Sequence, residues 1–304
     1  MSKVVVIGSS NVDLIMQVDH LPQPGETVPG GVFSQVFGGK GANQAVGAAR
    51  SGGEVTFVTC LGDDGFAPNI VRNFEESSID TEFVFKTDAA PTGTALIMID
   101  AKGENCITVA PGANGQLAAS HIDQAESALS DAAMVVLQCE ISPGSIRYSI
   151  DQSAALGKPI LLNLAPPHAL EPNYLEKLDY LVVNETEAAF LTEKPVNHID
   201  EARAALESLI EITRGCVILT LGTQGSLVAH GDLREHVAAF KVDAVDTTAA
   251  GDVFCGSLAT ALVEGQELLE AVRFASAAAA VSVTRLGAQP SAPSREDVEA
   301  MLRS

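Results

Sequence analysis

Two hydrophobic periodicities alternate along the chain. Short continuous apolar runs at residues 3–7, 54–60, 133–138, 159–164, 180–183 and 216–221 read as strands buried on both faces. Between most of them, apolar residues recur at helical spacing over 41–51, 67–76, 145–156, 187–192 and 199–213. The last third adds helical patterns at 253–263 and 268–283, the second containing Ala275-Ser276-Ala277-Ala278-Ala279-Ala280, whose small side chains permit close packing against a sheet. Strand and helix in alternation predict right-handed crossovers. The expected fold is therefore α/β, a doubly wound, mostly parallel central sheet with helices on both faces.

Two segments break this alternation. Apolar stretches at 14–19 and 32–37, and again at 94–100 and 105–110 across Ala101-Lys102-Gly103-Glu104, have no helical pattern between them and predict hairpins. Together, approximately residues 14–38 and 93–111 would form a small separate β-sheet beside the main one, a lid. No low-complexity linker or internal repeat divides the chain, so 1–304 is expected to be one domain carrying that lid. A further strand is predicted over 235–245.

Polar residues gather where the predicted strands end, the edge at which open α/β sheets bind ligands. Gly8-Ser9-Ser10-Asn11-Val12-Asp13 follows the first strand, Gln138-Cys139-Glu140 follows another, and Asn163 ends a third. The next two end in Asn184-Glu185-Thr186-Glu187 and Thr220-Leu221-Gly222-Thr223-Gln224-Gly225. Each alone could be a turn or a helix cap. On one rim they predict a cleft. The stretch Asp246-Thr247-Thr248-Ala249-Ala250-Gly251-Asp252 should add the loop of 248–251, feeding a helix N-terminus. Its small residues let backbone N–H groups approach an anion, and the helix dipole favours one there. A phosphate-cradling turn with a carboxylate inside it suits phosphoryl transfer to an alcohol, because it supplies both donors for the phosphate and a base for the hydroxyl.

Composition narrows the possibilities. At 304 residues and 46% hydrophobic, the chain can bury a large core. Eighteen Lys and Arg against 39 Asp and Glu give a net charge of -21, which argues against nucleic acid or an anionic membrane as partner. No apolar run approaches the roughly 18 residues of a membrane span. Met1-Ser2-Lys3 passes straight into Val4-Val5-Val6-Ile7 without a signal-peptide pattern, so the expected compartment is the cytoplasm. Cys60, Cys106, Cys139, Cys216 and Cys255 are scattered without a CxxC pair and read as buried thiols. The six histidines show no metal spacing. Gly38-Gly39-Lys40-Gly41 is not a Walker A loop, since Ser34 stands at the first glycine position and Gly41 at the hydroxyl position. Nor does GxGxxG follow the first strand, which removes the main support for a nicotinamide-dependent oxidoreductase.

Gly38-Gly39-Lys40-Gly41-Ala42-Asn43-Gln44-Ala45-Val46-Gly47-Ala48-Ala49-Arg50-Ser51-Gly52 and Asp246-Thr247-Thr248-Ala249-Ala250-Gly251-Asp252-Val253-Phe254-Cys255-Gly256 resemble the two signatures of the ribokinase-like carbohydrate kinases. The likeness runs from Gly8 through Gly287-Ala288-Gln289-Pro290-Ser291, nearly the whole chain. It implies a central α/β domain with a β-sheet lid that also serves as a homodimer interface. The implied reaction is transfer of the ATP γ-phosphoryl group to the 5-hydroxyl of D-ribose, with Mg2+ on the nucleotide and K+ as a monovalent activator.

Roles follow by position. Asp252 matches the general base, and the N–H groups of Ala249, Ala250 and Gly251 match the anion hole at the 249–252 helix start. Asn11, Asp13, Gly39, Lys40, Asn43 and Glu140, with Asp252, match the ribose-binding set, Asp13 with Asn11 and Asn43 forming a diol clamp. Asn184 and Glu187 match an Asn-x-x-Glu element that organises magnesium and phosphate largely through water. Thr220, Leu221, Gly222, Thr223, Gln224 and Gly225, with Gly251, match the loop under the nucleotide. Asp246, Thr248, Ser282, Arg285, Gly287 and Ser291 occupy the monovalent-cation positions. Ser276 stands where relatives often carry a larger asparagine or histidine near adenine, and Cys255 where they often carry asparagine. Within the family, 2-deoxyribose, fructose or a nucleoside are alternative substrates. A non-catalytic sugar-binding sensor is the alternative outside it, and the intact Asp252, Lys40 and Asn184-x-x-Glu187 argue against that.

Overall fold

The computed structural model describes residues 3–304. In chain order its strands are β1 (Lys3–Ile7), β2 (Asn11–Gln17), β3 (Val32–Gly38), β4 (Glu54–Gly62), β5 (Ile79–Asp80), β6 (Val84–Thr87) and β7 (Gly93–Ile99). They continue with β8 (Asn105–Ala110), β9 (Met134–Gln138), β10 (Ile160–Asn163), β11 (Tyr180–Asn184), β12 (Cys216–Thr220), β13 (Ser226–His230) and β14 (Leu233–Val237). The helices are α1 (Lys40–Arg50), α2 (Ala67–Glu76), α3 (Ala119–Gln124), α4 (Glu126–Asp131), α5 (Pro143–Ala155) and α6 (Pro172–Leu175). Then come α7 (Glu185–Thr192), α8 (Ile199–Ile212), α9 (Ala250–Val263), α10 (Leu268–Ser282) and α11 (Arg295–Arg303).

The central sheet has the order β14-β13-β12-β11-β10-β9-β1-β4-β5, with β6 beside β4. Pairing is parallel from β12 to β5, whereas β13 and β14 are antiparallel additions at one edge. Alternate side chains of β1 explain why the runs are apolar throughout. Val5 and Ile7 face one core with α5 and α8, while Val4 and Val6 face a second core with α1, α9 and α10. The chain leaves β1 towards β4 on one side and later returns to β9 on the other, so the loops after β1 and β9 diverge. A cleft opens at such a switch point.

The lid is the second sheet, ordered β3-β2-β7-β8. Both expected antiparallel pairs form, and a parallel β2/β7 pairing joins them. Both of its faces carry exposed apolar side chains, Phe33 and Leu96 on one and Ile107 and Val109 on the other, each about half accessible.

Several boundaries differ from expectation for identifiable reasons. The predicted strand over 235–245 ends at Val237, because its partner β13 begins at Ser226, opposite Val237, and Gly225 before it turns away at φ 89°. Val245 and Asp246 instead donate their N–H groups to the Val283 carbonyl at 2.7 and 3.1 Å. The helix expected from Val253 begins at Ala250, which puts Asp252 in its first turn rather than ahead of it. Strands β5, β6 and β13 and helices α3, α4, α6 and α11 are additions to the sequence pattern. All five cysteines are free, but Cys106 lies exposed on the lid rather than buried. Among the described residues no helix is long and apolar enough to cross a membrane.

Candidate active site

The cleft begins where α1 is pressed onto the end of β1. A methyl group on Gly41 would lie 2.6 Å from the Gly8 carbonyl carbon, and one on Gly8 would lie 2.8 Å from Gly41 Cα, so glycine is required at both. This contact sets the next bonds. Ser9 Oγ and Lys40 N both donate to Glu140 Oε2, at 2.5 and 3.0 Å, tying the loops after β1 and β9 to the start of α1. Gly39, the residue before α1, has φ 89°.

Asn11 is buried with its amide orientation fixed. Asn114 Nδ2 donates to Asn11 Oδ1 at 2.7 Å, which leaves the Asn11 N–H groups for other partners. Asp13 follows on β2, packed beside Gly38. Burial and then the neighbouring Glu140 charge raise its carboxyl from 3.8 to about 6.

Asp252, only 6% exposed, stands in the first turn of α9. Its Oδ2 accepts from Asn43 Nδ2 at 3.0 Å and its Oδ1 from Gln44 Nε2 at 3.1 Å. Asn43 gives an N–H to Asp252, and its own buried Oδ1 has no partner. Asn11 thus offers a donor and Asn43 an acceptor, the pair of roles that sugar hydroxyls can meet. The Asp252 charge, against some desolvation, and the charges of Glu140 and Glu187 push the Lys40 ammonium up, so it stays protonated among them. Ala249, ahead of α9, adopts a left-handed conformation at φ 59°, and nothing lies within 4 Å of where a Gly251 side chain would be. The amide end of α9 is therefore sterically open beside Asp252.

Asn184 and Glu187 form a reciprocal cap on α7. Glu187 N donates to Asn184 Oδ1 at 2.9 Å, and Asn184 N donates to Glu187 Oε2 at 2.8 Å. Burial pushes the Glu187 carboxyl up despite the Asn184 bond and the Lys40 charge. A cation beside this oxygen-rich, buried carboxylate would relieve that cost, so the pair fits a hydrated magnesium ion. The segment from Thr220 to Gly225 closes through Leu221 N to Gly225 O at 2.7 Å and exposes Gly222, Thr223 and Gln224. Ser276 returns its hydroxyl to Val272 O within α10.

Of the expected cation residues, Asp246, Thr248 and Gly287 come together. Thr248 N and Oγ1 donate to Asp246 Oδ1 at 2.9 and 2.6 Å, and Gly287 N donates to Asp246 Oδ2 at 2.8 Å. Partial burial works to raise this carboxyl, but the hydrogen bonds from Thr248 and Gly287 hold it below its ordinary value. Two backbone segments are thereby laid side by side next to the start of α9, where their carbonyl groups would be the ligands of a monovalent cation. Ser282 and Ser291 spend their hydroxyls on Ala279 O and Ala288 O, and Arg285 is tied to Asp297 at 3.0 Å. Only their backbones remain as candidate ligands. Among the described residues there is no cluster of His, Cys, Asp and Glu able to hold a metal by side chains alone.

In the sequence Ser9, Gln138 and Asn163 stand out only as polar strand ends, and Gln44 and Asn114 have no assigned role. Gln44 carried one signal, its place beside Asn43 in the first signature.

A model of the "pfkB family carbohydrate kinase" matches residues 1–295. The deoxyribokinase of Salmonella typhi is 40% identical, over 96% of each chain. The ribokinase of Staphylococcus aureus is 38% identical, over 98% of each. Among solved structures, ribokinase from Thermotoga maritima superposes with a TM-score of 0.90 at 38% identity, covering 100% of both chains. Arabidopsis thaliana ribokinase complexed with ribose and ATP gives 0.92 at 30% identity, again covering 100% of both.

Proposed function

The chain belongs to the pfkB family of carbohydrate kinases, and from that membership we propose that it transfers the γ-phosphoryl group of ATP to the 5-hydroxyl of D-ribose, giving ribose 5-phosphate and ADP. The observation that carries this reading is the buried Asp252 carboxylate, held on both oxygens by α1 amides at the open amide end of α9. In this reading Asp252 accepts the hydroxyl proton, while the N–H groups of Ala249, Ala250 and Gly251 face the charge that develops on the transferring phosphoryl. Lys40 stays charged beside them. Because such transition states are loose, placement and charge matter more than base strength, so a carboxylate suffices.

Asn11, Asp13, Gly39, Lys40, Asn43 and Glu140 are proposed to bind the sugar. The donor face of Asn11 and the unpartnered oxygen of Asn43 support a diol clamp with Asp13. Residues 220–225, with Gly251 and Ser276, are proposed for the nucleotide. Magnesium, when bound, neutralises phosphate charge, and Asn184 with Glu187 would hold its water. Potassium, when bound, would stiffen the loop that Asp246, Thr248 and Gly287 close. The half-exposed apolar side chains on both faces of the lid, Leu96 on one and Ile107 on the other, support pairing of two copies through it. ATP as donor agrees with the expected cytoplasmic compartment.

A second reading, 2-deoxyribose as acceptor, is favoured by the 40% identity to a deoxyribokinase. One hydroxyl decides between the two sugars by leaving a site group paired or unpaired. Coupled ADP release with ribose, 2-deoxyribose, fructose and a nucleoside separates them. The highest kcat/KM is expected with ribose; a preference for 2-deoxyribose overturns that assignment.

A further inference from the structure

Asp252 is held by a chain of buried amides whose far members have no role in the reading above. Gln138 Nε2, at the end of β9, donates to Gln44 Oε1 at 2.8 Å. Gln44 Nε2 then donates both to Asp252 Oδ1 at 3.1 Å and to Asn163 Oδ1 at 3.0 Å. Asn163, at the end of β10, donates its own Nδ2 to the Val182 carbonyl at 3.3 Å. Gln44 and Gln138 are wholly buried and Asn163 is 7% exposed.

The Val182 carbonyl can only accept, so Asn163 turns its oxygen to Gln44, beside the accepting Asp252 Oδ1, while Gln138, whose own buried Oε1 has no partner, meets the other end of Gln44 with a donor. That leaves Gln44 one orientation. Reversed, its oxygen would face two acceptors and its NH2 group would face that of Gln138. Each buried group left unpaired costs about 1–3 kcal/mol, so the alternative is sparsely populated.

We infer that Gln44, locked by Gln138 and Asn163, is a positioning residue that fixes the rotation of the Asp252 carboxylate. Its grip on Oδ1 leaves Oδ2, beside Asn43 and its unpartnered oxygen, turned to the acceptor hydroxyl. The inference rests on Asp252 being the base. It accounts for a polar chain crossing a core where apolar side chains would otherwise pack.

Gln44→Met and Gln138→Met test it against wild type, by ADP release with ribose and ATP across the acidic and neutral range. Gln44→Met is expected to lower kcat roughly 10²-fold, the effect of about a 1 Å misplacement, with KM for both substrates near wild type. The acidic limb of its kcat profile moves to higher pH, because a carboxylate that loses an N–H donor holds its proton more tightly. Gln138→Met, which unlocks the amide without removing it, gives a smaller change in the same direction and serves if Gln44→Met does not fold. A folded variant with kcat within about twofold of wild type, or with kcat and KM both altered and the acidic limb unmoved, overturns the inference alone. Wild type inactive on every sugar overturns the functional reading and the inference with it.

Discussion

Gly256 of α9 lies against the backbone of Gln44 in α1 so closely that a methyl group on it would sit 2.2 Å from the Gln44 carbonyl oxygen. On the facing helix, Gly47 is less tightly opposed to Val253, where a methyl would lie 3.2 Å from Cα. The two helices can approach this far because Gly256 carries no side chain. That approach brings Asn43 and Gln44 within hydrogen-bond reach of Asp252.

Gly256→Ala should therefore damage both packing and the site. Backbone atoms, unlike a flexible side-chain end, cannot step aside, so the helices must separate at a cost of about 1–3 kcal/mol. The expected outcome is a lower melting temperature together with reduced kcat. Unchanged values of both would show that the α1–α9 spacing does not govern the site.

Asp13 predicts a pH dependence on the sugar side. Its carboxyl, raised from 3.8 to about 6, is ionised above that value and able to accept from two hydroxyls, whereas below it one acceptor is lost to a proton. KM for ribose should rise as pH falls through about 6, and Asp13→Asn should raise KM while removing that dependence. For the free protein the sign is opposite. Between 3.8 and about 6 the folded state binds more protons than the unfolded, so stability falls as pH rises. Asp13→Asn should gain melting temperature over wild type as pH rises through that window, and a constant difference would remove burial as the cause.

The lid gives a prediction about assembly. Leu96 and Ile107, 52% and 53% exposed, lie on opposite faces of the lid, Leu96 paired with Thr108 and Ile107 with Ile97, so both faces carry exposed apolar side chains that could associate. Wild type is expected to scatter light as a dimer, and Leu96→Asp as a monomer with the same far-ultraviolet circular dichroism. A monomeric wild type at micromolar concentration contradicts the pairing.

Most of the architecture is legible in the hydrophobic pattern, because parallel strands buried on both faces leave unbroken apolar runs such as Val4-Val5-Val6-Ile7. What the pattern does not show is set by tertiary partners. Residues 238–245 look like a continuing strand, yet β13 has no residues left to pair with them beyond Ser226. In the site, the polar ends of β1, β9, β10, β11 and β12 do fall on one rim, and Asp252 reads correctly as a carboxylate at a helix start. The Gln138, Gln44, Asn163 chain escapes such a reading, since its members are 94 and 119 residues apart and each alone resembles an ordinary polar strand end or helix residue.

The most direct measurement is steady-state ADP release by Asp252→Asn beside wild type, with ribose and ATP varied separately. The substitution keeps the shape of the side chain and removes the proton acceptor. Turnover is expected to fall by roughly 10² to 10⁴, the range for losing a general base, with both KM values within a few-fold of wild type. Near-normal turnover in the folded variant would contradict the assignment of Asp252 as the base.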